Sequence, residues 1–292
     1  MRTVFTLAAC AAALAGCSIH PIPDDVTRDS TVSIVQAIRC ETRSAIRPQL
    51  ADILSQSTSP RTRQIADELA SGRRDLHQIY RRDIDPASLR EMKRFYDVGI
   101  GYNFDLTMEE NNDGTADTLF TLPFTNGTFT LGVSGGKERM RQNKRTFLII
   151  DTVKELAESE FCLDKPARDA NWVYPISGRI GMEEFVRTFY ELITSTGKLE
   201  ATENHVALAD QLTFKTKFFG AVNPRIVLAP VTNHFKLTEA SVNLSADRID
   251  THQVIVAIRL PDKFQREAQL KRSIAEDIEN LRELDAFRRS DF

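Results

Sequence analysis

The sequence predicts an α+β fold: a helical N-terminal third, then an antiparallel β-sheet or sandwich with covering helices, and a C-terminal amphipathic helix. Three observations carry this. Apolar residues recur at spacings of three and four from Val35 to Tyr96, the period switches to two at Val98, and a charge-dense stretch with three-and-four spacing returns after Asp262.

In chain order, "SIHPIPDDVTRD" (Ser18 to Asp29) has two prolines and no apolar period, so it reads as a tether. Ser30 is placed to cap a helix whose buried stripe is Val35, Ile38, Thr42, Ala45 and Ile46. Pro48 is expected to kink or end that helix, because proline lacks the N–H and its ring clashes with the preceding turn. Ser59-Pro60 starts a second helix along Ile65, Leu69, Leu76, Ile79 and Tyr80, loosened at Gly72. Asp85-Pro86 starts a third, with Leu89, Met92, Phe95 and Tyr96 on its apolar face.

From Val98 the alternation of Ile100, Tyr102, Phe104, Leu106 and Met108 with polar neighbours predicts a strand with one buried face. Asn112-Asp113-Gly114, Asn126-Gly127 and Gly135-Gly136 are turn signals, so residues 98–153 read as four short strands in a meander. "TVKELAESEFC" reads as a helix, and the segment holding Trp172 and Tyr174 as irregular. Met182, Phe185, Val186, Phe189, Leu192 and Ile193 form one face of a further helix, with Gly197 as its C-terminal cap. Strands follow in "QLTFKTKFFGA", "RIVLAPV", "HFKLTEASVNLS" and "HQVIVAIRL". The terminal helix carries Leu270, Ile274, Ile278, Leu281 and Leu284, a stripe short enough to dock on its own molecule rather than on another chain.

The organisation expected is a signal peptide (1–16), a tether (17–29), one α+β domain (30–261) and the charged helix (262–292). Within the domain, helical parts at 30–97 and 154–197 alternate with strand groups at 98–153 and 208–261. The first seventeen residues carry an α-amine and Arg2, an apolar run from Val4 to Leu14 too short to span a bilayer, then small residues. Leu14-Ala15-Gly16-Cys17 resembles the lipobox of bacterial lipoproteins. The resemblance implies cleavage before Cys17, a diacylglycerol on its sulfur, an acylated amine, and, with Ser18 next, export to the outer membrane. Acyl chains contribute about 0.8 kcal/mol per buried CH₂, so two or three hold a protein stably on a membrane. Losing Arg2 moves the formal charge from −3 to −4, and nothing in that balance suggests nucleic acid as a partner.

Of four cysteines, Cys10 leaves with the leader and Cys17 takes the lipid. Cys40 and Cys162 remain, either as a disulfide in an oxidising compartment or as two buried thiols.

Short motifs fit better as structure than as chemistry. Ser134-Gly135-Gly136-Lys137 has SxxK spacing, but glycines fill the interval where a serine acyl-enzyme needs a helical turn. "EENNDG" (Glu109 to Gly114) starts like a calcium loop, yet its twelfth position is Phe120. Gly99 and Gly101 lack the third glycine and the following helix of a dinucleotide fingerprint. Histidines 20, 77, 205, 234 and 252 have no metal-ligand spacing, so no metal and no cofactor is expected. Lys137, Arg139, Arg141, Lys144 and Arg145 could face anionic lipid or line a solvated strand. Trp172 and Tyr174 could line a sugar or peptide site or tuck into the core.

The function these residues imply is a noncatalytic envelope lipoprotein, held by Cys17 at the periplasmic face of the outer membrane and meeting a protein, glycan or lipid partner. A periplasmic hydrolase with a site assembled from separate loops and a small-ligand carrier are the alternatives.

Overall fold

The computed structural model describes residues 20–163, 168–196, 207–227, 236–262 and 265–290. Cys17, Gly197, His205 and His234 lie outside these residues. Among the described residues, seven α-helices and one five-stranded antiparallel sheet make the fold α+β. The helices are α1 (Asp24–Thr27), α2 (Thr31–Ser55), α3 (Pro60–Ala70), α4 (Pro86–Tyr96), α5 (Val153–Glu158), α6 (Met182–Ser195) and α7 (Glu267–Ser290). The strands are β1 (Gly99–Phe124), β2 (Gly127–Thr152), β3 (Ala207–Val222), β4 (Arg225–Val227) and β5 (Lys236–Arg259). Their order is β2-β1-β5-β3, with β4 also paired to β5.

The chain folds as two compact units, each built from three segments. A helical unit comprises Thr27–Asp105, Arg145–Phe214 and His252–Phe292. A strand unit comprises Met1–Val26, Leu106–Lys144 and Lys215–Thr251.

In the helical unit, α2 is the central rod. The Ser30 hydroxyl accepts from Ser33 N at 3.1 Å and starts it. Of the two outcomes expected at Pro48, a stop does not occur: the helix passes through it and ends only at Ser55. The physical reason lies beyond the proline. Leu50, Ile53 and Leu54 are fully buried against neighbouring helices, and at about 1.5 to 3 kcal/mol each they outweigh a proline penalty of about 3 kcal/mol. Helices α3, α4, α5 and α6 all pack on α2. The starts of α3 and α4 follow the caps read from the sequence: Ser59 receives Thr62 N, and Asp85 receives Ala87 N and Ser88 N. Thr152 and Glu155 close a reciprocal capping box at the start of α5.

The terminal helix docks on its own chain, as its stripe predicts. Leu270, Ile274 and Ile278 are buried with Ile255 and Ala257 of β5, and Leu281 packs beside them. Gly99 and Gly101 make this approach possible. A Cβ on Gly99 would lie 2.4 Å from Ile274 Cδ1, and one on Gly101 2.5 Å from Ile274 Cγ2.

The strands differ from the short meander expected. β1 and β2 are 26 residues each, joined by one turn at Thr125-Asn126. Asn112-Asp113-Gly114 and Gly135-Gly136 stand inside strands rather than at turns. They lie across the ladder from one another, where a Cβ on Gly136 would sit 3.0 Å from Thr115 Cγ2 and 3.2 Å from the Gly114 carbonyl oxygen. The glycine here serves a close approach of two strands.

Candidate functional site

Alternation along strands sorts the side chains of the strand unit onto two faces. Cross-strand contacts fix which residues share a face. Gly136 meets Thr115, Gly114 meets Leu244, and Ile226 is registered with Ala240. Lys217 pairs with Asp247 at 3.0 Å, which puts Phe218, Gly220 and Val222 with Leu244 and Val242.

One face then carries Phe120, Leu122 and Phe124 from β1, Phe129, Leu131 and Val133 from β2, Val242 and Leu244 from β5, and Val222 and Ile226 beside them. Most are open to solvent: Phe124 is 59% exposed, Phe129 53%, Val133 52% and Val222 64%. A contiguous apolar surface on this scale marks an interaction site rather than a core. The opposite face is mostly small and polar towards the β1–β2 turn, with Thr128, Thr130, Gly132 and Ser134 on β2 and Ser241, Asn243 and Ser245 on β5; Met140, Phe219, Val227 and Leu237 are exposed apolar residues on it.

Further along the apolar face the chemistry turns polar. On β2 the same alternation brings Lys137, Arg139 and Arg141, and then Asn143, whose amide donates to the Pro21 carbonyl at 2.8 Å. On β5 it brings Arg248 and Asp250, and across from them Glu110 of β1. The Arg248 guanidinium donates to both oxygens of the fully buried Asp250, at 2.8 and 3.0 Å, and to Glu110 Oε1 at 3.3 Å. It also reaches the Ile22 carbonyl at 2.7 Å and Asp25 Oδ2 at 3.4 Å. Residues 21–25 are therefore fastened to the face that holds the apolar patch, at two points.

The helical unit holds a cleft of about 640 Å³, lined in part by Arg43, Arg47, Asp75, Glu41 and the Cys40–Cys162 bond. Its carboxylates are committed to the fold. Asp75 accepts from Arg43, from Arg47 at 3.2 Å, and from the ring and backbone nitrogens of His77 at 2.7 and 3.2 Å. Burial alone would push its carboxyl up, but the hydrogen bonds from Arg43 and His77 outweigh that and hold it well below the usual carboxylate range. Glu41 accepts the backbone N–H groups of Ile180, Gly181 and Met182 at 2.8 to 2.9 Å, which satisfies the start of α6. A general acid or base has to exchange a proton near neutral pH, and a carboxylate held ionised by an arginine does not.

The other residues singled out by sequence fall as follows. Cys40 and Cys162 are joined, with Cα atoms 5.4 Å apart. Cys17 lies outside the described residues. His77 serves Asp75, and the His252 ring meets the Tyr174 hydroxyl in the core of the helical unit. Among the described residues no group of three metal-ligating side chains converges. Ser134 and Lys137 lie in strand β2, and Glu109 to Gly114 in β1, so neither forms the loop or helix its motif needs. Trp172 is 90% exposed while Tyr174 is buried, so the two do not line one site. No helix among the described residues is long and apolar enough to cross a membrane, which says nothing of strands. Sequence reasoning missed the apolar patch because it gave a buried face only to Ile100, Tyr102, Phe104, Leu106 and Met108 and left the cover of the later alternating strands unassigned. It missed the Arg248 cluster too, although arginine and aspartate two apart in a strand were a visible signal.

Among solved structures, the Salmonella SPI-1 injectisome secretin InvG in its open-gate state aligns over 61% of this chain and 66% of that chain, at 5% identity and a TM-score of 0.22. The InvG β-barrel domain aligns over 64% of this chain and 69% of that chain, at 6% identity and a TM-score of 0.23. Scores this low carry no weight for fold or function. The relationship by sequence is of another order: a Sinorhizobium fredii protein described as uncharacterized protein y4kA is 31% identical over 274 residues, covering 90% of this chain and 84% of that one. With the model of the family described as uncharacterised protein y4kA matching residues 20–288 as well, the chain belongs to the Y4kA family.

Proposed function

We propose that this protein is a lipid-anchored component of the bacterial cell envelope, attached through acylated Cys17 to the outer membrane and facing the periplasm, with a noncatalytic binding role. The observation that carries the reading is the placement of residues 21–25. They are held by Asn143 and Arg248 on the face of the strand unit that carries the exposed apolar patch. From Ile22 back to Cys17 the chain reaches at most about 18 Å, so a lipid on Cys17 would leave the protein beside an apolar surface. The commitment of Asp75 and Glu41 to structural hydrogen bonds favours binding over hydrolysis at the cleft.

Intact-mass measurement of the protein from a Gram-negative host tests the anchor. Cleavage before Cys17 with a mass increase of two or three acyl chains is expected, abolished by Cys17→Ser. A mature chain lacking any acyl mass would refute the anchored reading.

A further inference from the structure

Resting on that membrane-anchored reading, we propose that the distal sheet of the strand unit inserts its apolar face into a bilayer as one sector of a multi-copy transmembrane β-barrel, each chain supplying β2, β1, β5 and β3.

The first argument is dimension. Residues 114–124 of β1 carry no charged side chain on the apolar face. At about 3.3 Å per residue they extend about 33 Å, or about 25 Å of height at a tilt near 40°, which matches the apolar band of membrane barrels. The neighbouring stretches 127–135 of β2 and 240–246 of β5 are likewise uncharged on this face. The second is two-sidedness: Phe129, Leu131 and Val133 face one way while Thr128, Thr130 and Ser134 face the other. Lipid-facing and lumen-facing residues of a membrane barrel alternate in this manner. The third is the border. Lys137, Arg139 and Arg141 follow directly on the apolar side of β2, at the level where anionic headgroups would attract them.

Closure then follows from backbone chemistry. Hydrocarbon offers no partner for N–H and C=O groups, so a sheet in lipid cannot keep an edge. Among the described residues one edge of the sheet is β2 and the other is β3 continued by the short β4, both paired to β5, and in an antiparallel sheet of this order the two edges run opposite to one another. Edge β2 of one copy laid on edge β3 of the next therefore continues the antiparallel ladder, head to tail, and repetition closes a ring. Four strands from each copy keep the total even, and barrels begin at about eight strands. The β2 edge lacks the usual protection, since "GTFTLGVSGG" contains no charge and no proline, and on the other edge "FFGAV" is equally bare up to Pro224 and Arg225.

The test uses the full lipidated chain reconstituted into vesicles of phosphatidylethanolamine and phosphatidylglycerol, part of whose acyl chains carry bromine. Trp172→Phe removes the single tryptophan, and Leu131→Trp or Thr130→Trp then reports either face. We expect Leu131→Trp to be quenched by the brominated chains severalfold more than Thr130→Trp, in an assembly of several chains that conducts ions across a planar bilayer. Val242→Trp, on a different strand, should match Leu131→Trp, which guards against a misfolded variant. Equal quenching on the two faces, a monomer in the membrane, or a Leu131→Trp shielded from lipid in a face-to-face dimer would each overturn the proposal. Acylation at Cys17 without quenching sinks this inference alone, and quenching without acylation sinks the anchor alone.

Discussion

Arg248 and Asp250, two residues apart on β5, are joined by both ends of the guanidinium fork, Nε to Oδ1 at 2.8 Å and Nη2 to Oδ2 at 3.0 Å. Asp250 is fully buried, and Glu110 and Asp25 bring two more carboxylates to the same cation. Arg248→Ala would strand a buried charge, and removal of one partner from such a pair costs about 3 to 5 kcal/mol. The expected outcome is faster hydrogen exchange at residues 21–25 and in β5 near Asp250. Arg248→Lys should restore little of the protection, because a point charge does not reproduce a two-pronged contact.

Gly101 predicts an overpacking effect in the helical unit. Because Ile274 already occupies the space of the missing Cβ, Gly101→Val forces α7 away from β1, at a cost of about 1 to 3 kcal/mol. Ile274→Ala in the same chain should recover part of the lost thermal stability. A double variant no better than Gly101→Val would show that the glycine is there for another reason.

The Cys40–Cys162 bond spans 122 residues of sequence. Chain-entropy reasoning assigns a loop of that size about 4 to 5 kcal/mol. Cys40→Ser with Cys162→Ser should lower the melting temperature to the value reached by the wild-type protein in reductant. Peptide mapping without reductant should recover the two cysteine peptides linked.

Acid should loosen the helical unit through Asp75. Its folded-state pKa lies below the unfolded value of about 3.9, since the hydrogen bonds from Arg43 and His77 overcome the cost of burial. The stability it supplies is complete above the unfolded pKa and is lost as pH falls through the depressed folded value. Asp75→Asn should melt earlier than wild type at pH 7 and show a shallower fall in melting temperature below about pH 4. Parallel curves for the two proteins would remove Asp75 as the group responsible.

Helix starts were legible wherever the deciding forces were local, although α3 stops at Ala70, short of the stripe read on to Leu76, Ile79 and Tyr80. Ser59-Pro60 and Asp85-Pro86 mark the starts of α3 and α4 because a capping oxygen and a pre-set φ act within one turn. The stripe of Leu270, Ile274 and Ile278 correctly announced a docked helix. Strand length was not legible. Asn112-Asp113-Gly114 and Gly135-Gly136 have turn chemistry, but pairing along two 26-residue strands overrode it, and the turn signals ended up facing each other. The apolar patch was hidden for a related reason. Period-two alternation reports that one face is apolar, and it is silent on whether protein, lipid or water covers that face. Which of the two outcomes Pro48 would give was not legible, because its penalty is local while the contacts that carry α2 past it, at Leu50, Ile53 and Leu54, depend on helices far along the chain.

The strand order has a consequence for biosynthesis. β5 is made last of the five strands among the described residues, yet lies between β1 and β3. The end of β1 at Phe124 and the end of β5 at Arg259 are separated by about 135 residues, which a ribosome adds in about 7 to 27 s at about 5 to 20 residues per second. Through that interval the nascent chain carries a β1–β2 hairpin whose inner strand, β1, still lacks its β5 neighbour, with phenylalanines already in place. A stall in translation before β5 is therefore expected to leave a product prone to aggregation.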